Sequence, residues 1–242
     1  MTAKAQTIQE TASEQVLFDP ELVSDPTREL FDPRSWGDRA IAHTEGRGTV
    51  WRIDSSEGRW MLKRYLRGGL VARMLSDRYF FLGYERTRMA REFTLLRTLC
   101  EMGLPVPRPV AAFTQRCGPA LYAGGLITQY LEEARSLSSL VLSGGSSDAP
   151  WATVGSTIRR FHDHGVIHRD LNASNILLSD GAVHLIDFDK GRLAPASTKD
   201  SWRQANLQRL LRSLKKISIG QGSDLGNHWK TLLSAYAKPS IG

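Results

Sequence analysis

Residues 166 to 189 read Val-Ile-His-Arg-Asp-Leu-Asn-Ala-Ser-Asn-Ile-Leu-Leu and then, past the turn Asp180-Gly181, Val-His-Leu-Ile-Asp-Phe-Asp. Three side chains in this stretch, Asp170, Asn175 and Asp187, stand at the spacing that phosphoryl transfer requires. Asp170 and Asn175 share one short loop, so one can accept a hydroxyl proton while the other faces a metal. Asp187 arrives at the end of the following strand. Singly, each has a plainer reading: an aspartate after His-Arg can cap a helix, and an aspartate after an apolar run often ends a strand. Taken in this order, with the apolar triplet Ile176-Leu177-Leu178 between them, they predict an ATP-dependent kinase. Asp170 is then the base, and Asn175 and Asp187 hold Mg2+ through hard oxygen donors. His168 and Arg169 are expected to hold the loop rather than do chemistry.

Upstream, Trp151, Val154, Ile158 and Phe161 predict an amphipathic helix that delivers the chain to His168. Met89, Phe93, Leu96 and Cys100 predict another from Thr87 to Met102. Two strand-like runs, Thr49 to Asp54 and Arg59 to Tyr65, flank the polar turn Ser55-Ser56-Glu57-Gly58 and predict a hairpin. Leu126 to Leu131 reads as a further buried strand. Lys63, between apolar neighbours on the second hairpin strand, is the lysine placed to meet nucleotide phosphates; a strand lysine turned to solvent is the alternative. Glu92 is its natural partner, ahead of Glu101 at the helix end. Gly46 and Gly48 precede the hairpin, where glycine either lets backbone amides approach phosphate oxygens or simply serves the turn. This order of elements predicts an α+β, two-lobed protein-kinase-like fold with an antiparallel-sheet N-lobe and a mainly helical C-lobe, with ATP expected between the lobes. The expected divisions are an acidic N-terminal arm over residues 1–35, an N-lobe over 36–131 and a C-lobe over 132–242 that lacks a long activation segment.

The residues after Asp187 narrow the acceptor. Lys190-Gly191-Arg192 leads quickly to a predicted helix near Trp202, leaving little room for a peptide platform, and Asp189 stands where protein kinases have the glycine of Asp-Phe-Gly. No protein substrate is expected.

Hydrophobic content of 41% suits a chain that buries a core, and no apolar run is long enough to span a bilayer. Cys100 and Cys117 lack metal-ligand spacing and are expected as buried free thiols. The formal charge of +7 is uneven: residues 1–35 carry seven acids against three bases, whereas residues 64–91 carry seven arginines against Asp77 and Glu85, interleaved with aromatics. Such a patch suits an anionic partner. Nucleic acid is not expected, because no recognition helix or stacking motif accompanies the charge.

His168-Arg169-Asp170-Leu171-Asn172-Ala173-Ser174-Asn175-Ile176-Leu177-Leu178, Leu185-Ile186-Asp187-Phe188-Asp189-Lys190-Gly191-Arg192, Tyr65-Leu66-Arg67-Gly68-Gly69-Leu70 and Gly103-Leu104-Pro105-Val106-Pro107-Arg108-Pro109 together resemble the 3-deoxy-D-manno-octulosonic acid (Kdo) kinases. They fall within the lipopolysaccharide kinases of the protein-kinase-like superfamily. Asn206 to Lys216 extends the likeness into the tail. The resemblance implies transfer of the ATP γ-phosphate to the 4-hydroxyl of Kdo on a lipid A precursor, at the cytoplasmic face of the inner membrane of a Gram-negative cell, by a peripheral protein. It also implies the same roles for Asp170, Asn175, Asp187, Lys63 and Glu92 as the residues themselves do. Kdo carries a carboxylate and lipid A precursors carry phosphates, so Arg67, Arg73 and Arg78, with Lys190 and Arg192, are expected to guide this acceptor and an anionic membrane surface. A solvated helical face is the alternative for those arginines. Two rival functions remain: a kinase of another lipopolysaccharide sugar such as heptose, and a non-catalytic kinase-like membrane-binding module. An aminoglycoside acceptor fits poorly, because a cationic substrate calls for an acidic wall.

Overall fold

The hairpin read between residues 49 and 65 lies one strand in from the edge of an antiparallel sheet. In the computed structural model, β4 (Gly48–Ser55) and β5 (Gly58–Arg64) pair with Ser55 opposite Gly58. The structure describes residues 6–45, 48–65, 79–143, 148–195, 198, 200–219 and 225–238. The chain divides into two units, Met1–Glu101 with Pro107–Tyr130, and Met102–Val106 with Leu131–Gly242.

In the first unit β3 (Ala40–Glu45) flanks β4, and β8 (Leu121–Gln129), β7 (Pro109–Arg116), β2 (Glu14–Phe18) and β1 (Gln6–Thr11) lie in that order on the other side of β5. A short β6 (Tyr79–Phe80) also pairs with β8. Residues 6–18, expected to be part of an arm, are therefore two strands of the sheet. The physical reason is the alternation in β2, where Val16 and Phe18 are buried with Val23, Phe31, Ile53, Trp60, Leu62, Phe113 and Ile127. Along β5 the same alternation sends Trp60 and Leu62 into this cluster and Lys63 to the opposite face. There α1 (Arg88–Glu101) packs against β7 and β8, burying Met89, Phe93, Leu96 and Leu99. A Cβ at Gly124 would lie 1.9 Å from the Phe113 carbonyl oxygen, so only glycine permits this approach of β8 to β7.

The second unit is mainly helical. It contains β9 (Arg135–Ser136), α2 (Leu137–Leu142), α3 (Asp148–Asp163) and β10 (Val166–Ile167). After these come β11 (Ile176–Ser179), β12 (Ala182–Leu185), β13 (Arg192–Leu193), α4 (Ser201–Ile217) and α5 (Leu225–Tyr236). The apolar stripe of α3 buries Trp151, Val154, Ile158 and Phe161. α3 and α5 cross closely at Gly155, where a Cβ would sit 2.2 Å from the Leu232 carbonyl oxygen. Trp151 stacks on His228 of α5 with ring centroids 4.9 Å apart. β11 and β12 form a hairpin closed by Asp180 and Gly181, at φ 49 and 75, the left-handed pair that a two-residue hairpin turn needs.

Candidate active site

The β11–β12 hairpin brings together the second unit's candidate site residues. Ile176 pairs with Leu185. One step beyond, the Ile186 N–H donates to the Asn175 carbonyl at 3.1 Å, fixing Asn175 beside the residue that precedes Asp187. Asp187 takes φ 64, a left-handed conformation costly for a non-glycine residue and characteristic of sites where the backbone is held for function. Phe188 supports it from below, fully buried, its ring 6.0 Å from Phe161 and 4.6 Å from His168.

His168 organises the loop. Its Nδ1 accepts the Asp170 N–H at 3.2 Å, which leaves the proton on Nε2, and Nε2 donates to the Ile186 carbonyl at 2.9 Å. One neutral ring thus ties the Asp170 backbone to the Asp187 segment, the loop-holding part expected of it. The His168 N–H in turn donates to Oδ1 of Asn206, a buried residue of α4, at 3.3 Å. Asn172 caps the turn Ala173–Asn175, its side chain accepting from Ser174 N and Asn175 N.

These contacts fix the Asp170 backbone and the Asn175 side chain on the loop. Asn175 Nδ2 donates to the Asp170 carbonyl at 2.9 Å, so Oδ1 is the oxygen turned to any ligand. The Asp170 backbone carbonyl also accepts from Asn172 Nδ2 at 3.1 Å, while its carboxylate is exposed and makes no hydrogen bond among the described residues. A carboxylate held by its backbone with free oxygens can orient a hydroxyl and take its proton. One amide oxygen and one carboxylate suit Mg2+, which binds through a few hard oxygens and fills its remaining positions with water and phosphate. Arg192 lies opposite Ile167 in the β10–β13 pair, and Lys190 is exposed in the turn after Asp187.

In the first unit Lys63 Nζ donates to Glu92 Oε2 at 3.2 Å, with the Lys63 side chain 28% exposed and Glu92 3%. Glu92 is therefore the partner the structure provides, whereas Glu101 pairs with Arg97 in its own helix. Tyr65, to which the sequence pattern assigns no role, donates its hydroxyl to the same Glu92 oxygen. Two cations lie close to its ring, Lys63 Nζ at 4.9 Å from the centroid and the Arg88 guanidinium at 5.1 Å. Gly48 closes the β3–β4 hairpin opposite Glu45, but Gly46, Arg67, Arg73 and Arg78 lie outside the described residues. Both cysteines are free and only partly buried, not fully as expected, and burial pushes the Cys100 thiol up to about 11.

A model of the lipopolysaccharide kinase (Kdo/WaaP) family matches residues 35–236. A 3-deoxy-D-manno-octulosonic acid kinase of Xanthomonas oryzae pv. oryzae is 44% identical, over 91% of this chain and 88% of its own length. One from Stenotrophomonas maltophilia is 46% identical, over 84% of this chain and 80% of its own. Among solved structures, WaaP in complex with acyl carrier protein is similar with a TM-score of 0.49 at 18% identity, covering 84% of this chain and 95% of that one.

Proposed function

We propose that this protein, which belongs to the lipopolysaccharide kinase (Kdo/WaaP) family, transfers the γ-phosphate of ATP to the 4-hydroxyl of Kdo on a lipid A precursor during lipopolysaccharide core biosynthesis. The observation that carries this reading is the identity of nearly half of all aligned positions with Kdo kinases along most of both chains. The site geometry supports it independently of the names.

In the mechanism, the Asp170 carboxylate orients the sugar hydroxyl and accepts its proton as the new oxygen–phosphorus bond forms and the bond to the β-phosphate oxygen breaks, releasing ADP. Lys63, held by Glu92 and Tyr65, offers its ammonium to the nucleotide phosphate oxygens. Asn175 Oδ1 and the Asp187 carboxylate would hold Mg2+, which supplies neutralisation of phosphate charge. The hydrogen bonds through His168 keep the base and the Asp187 backbone in register without taking part in proton transfer. Lys190 and Arg192 place positive charge close to the loop and would meet the acceptor's carboxylate or phosphates. Among the described residues no helix is long and apolar enough to cross a membrane. A lipid-linked acceptor then calls for peripheral association, which we assign to the cytoplasmic face of the inner membrane.

The test is incubation of the purified protein with ATP, Mg2+ and Kdo-linked lipid A precursor, with the phosphate position read by mass spectrometry and NMR. One added phosphate on Kdo O4 is the expected product. Phosphate on a heptose-bearing acceptor and none on Kdo would replace the substrate, and no transfer despite ATP binding would favour a non-catalytic module.

A further inference from the structure

We propose that Phe80 and Leu82, followed along the chain by the exposed Arg86 and Arg91, form a membrane-docking surface that inserts two apolar side chains into an anionic bilayer. Both side chains are conspicuous in their exposure, 67% for Phe80 and 71% for Leu82. Isolated apolar residues on a surface are ordinary, but here two stand on one short segment, and the residue between them faces the other way.

Phe81 is that residue. Its ring packs edge-on to Tyr84 at 5.0 Å and Tyr122 at 6.4 Å beneath the Arg116 guanidinium, and its N–H donates to the Ala120 carbonyl at 2.8 Å. β6 is paired to β8 with Tyr79 opposite Tyr122 and Phe80 opposite Leu121. The segment is thus anchored from inside while alternation turns its neighbours outward. The chain then turns at Gly83, φ 107, into the arginines. Arg86 and Arg91 are exposed and make no ion pair among the described residues, and Glu85 is the single acid between Gly83 and Arg91. Exposed apolar side chains followed in the chain by the exposed cations Arg86 and Arg91 match the two layers of an anionic membrane, acyl chains beneath phosphates.

The surface also connects to the catalytic half-site of its own unit. The Arg88 N–H donates to the Tyr122 hydroxyl at 3.1 Å, and Arg88 covers the Tyr65 ring that bonds Glu92. A lipid-anchored acceptor would be presented to an enzyme already seated on its bilayer. The choice of a bilayer as partner rests on the acceptor proposed above.

The test compares wild type with the Phe80→Asp/Leu82→Asp double variant in co-sedimentation with vesicles of phosphatidylethanolamine and phosphatidylglycerol. Vesicle affinity is expected to fall about tenfold or more, with turnover of a soluble, deacylated Kdo acceptor unchanged. Phe80→Trp, which preserves the apolar surface, should show emission quenched by brominated lipids. Unchanged sedimentation of the double variant, unquenched Phe80→Trp emission, or a change confined to self-association would each overturn the proposal. Wild-type protein that binds vesicles through these residues yet phosphorylates no Kdo acceptor would remove the catalytic reading and leave the surface standing. Turnover of lipid-linked Kdo by a double variant with undiminished vesicle binding would do the reverse.

Discussion

Glu92 is buried, and a buried carboxylate is costly unless donors reach its oxygens. Lys63 and Tyr65 each supply a donor, both to Oε2. Removing the tyrosine hydroxyl leaves the lysine sharing its position with no second donor, so Tyr65→Phe should lower kcat/KM for ATP about tenfold, chiefly through KM, the size expected for one hydrogen bond to a charged group. Steady-state kinetics check this, and an unchanged KM for ATP would mean the hydroxyl does not position the lysine. The Lys63–Glu92 pairing and the grouping of Asp170 and Asn175 with the Asp187 segment could be anticipated from the sequence because each residue belongs to a local pattern with defined neighbours. Tyr65 and Asn206 were not, since a tyrosine ending a strand and an asparagine within a helix carry no signal until the fold brings Glu92 and the His168 N–H to them.

Elements were readable where one face is buried and the other wet. The α1 and α3 stripes and the β4–β5 hairpin alternate in this way, and the structure places them within a few residues of the expected bounds. β7 gave no such signal: it opens on Pro109 and is buried on both faces from Pro109 to Thr114, so alternation is absent. β1 and β2 were hidden by their shortness and by the polar residues that surround Val16 and Phe18. Close approach of elements is likewise invisible in sequence but decisive in packing. Gly155→Ala should push α3 from α5, because the added methyl meets backbone rather than a movable side chain. A loss of about 1–3 kcal/mol in stability is expected by denaturant titration, and a variant as stable as wild type would show that the helices can separate without cost.

At the scale of the whole molecule, the first unit carries the Lys63–Glu92 pair and the second carries Asp170, Asn175 and Asp187, the proposed base and magnesium ligands, so stability of each matters to the proposed turnover. His162 makes the second unit acid-sensitive. Burial, with a smaller contribution from Arg203, lowers its pKa from 6.5 to about 4 against the opposing hydrogen bond of Asn206. Its Nδ1 meets the Tyr236 hydroxyl at 2.8 Å, and Trp202 packs edge-on at 4.9 Å, so α3, α4 and α5 converge on a neutral ring. Above pH 6.5 the ring is neutral folded or unfolded and its contribution is complete. As pH falls towards 4 the unfolded chain takes up the proton first, and stability should drop by up to about 3 kcal/mol, with no further loss from this group below that range. Urea melts between pH 7 and 4 should show this slope, and His162→Gln should flatten it; equal slopes would assign the acid loss elsewhere. The most direct test of the account is turnover of Kdo-linked lipid A precursor by wild type and Asp170→Ala, measured beside ATP binding by thermal shift. The account predicts a phosphate on Kdo from wild type, a fall of about a thousandfold or more in the variant and retained ATP binding; turnover unaltered by Asp170→Ala would contradict it.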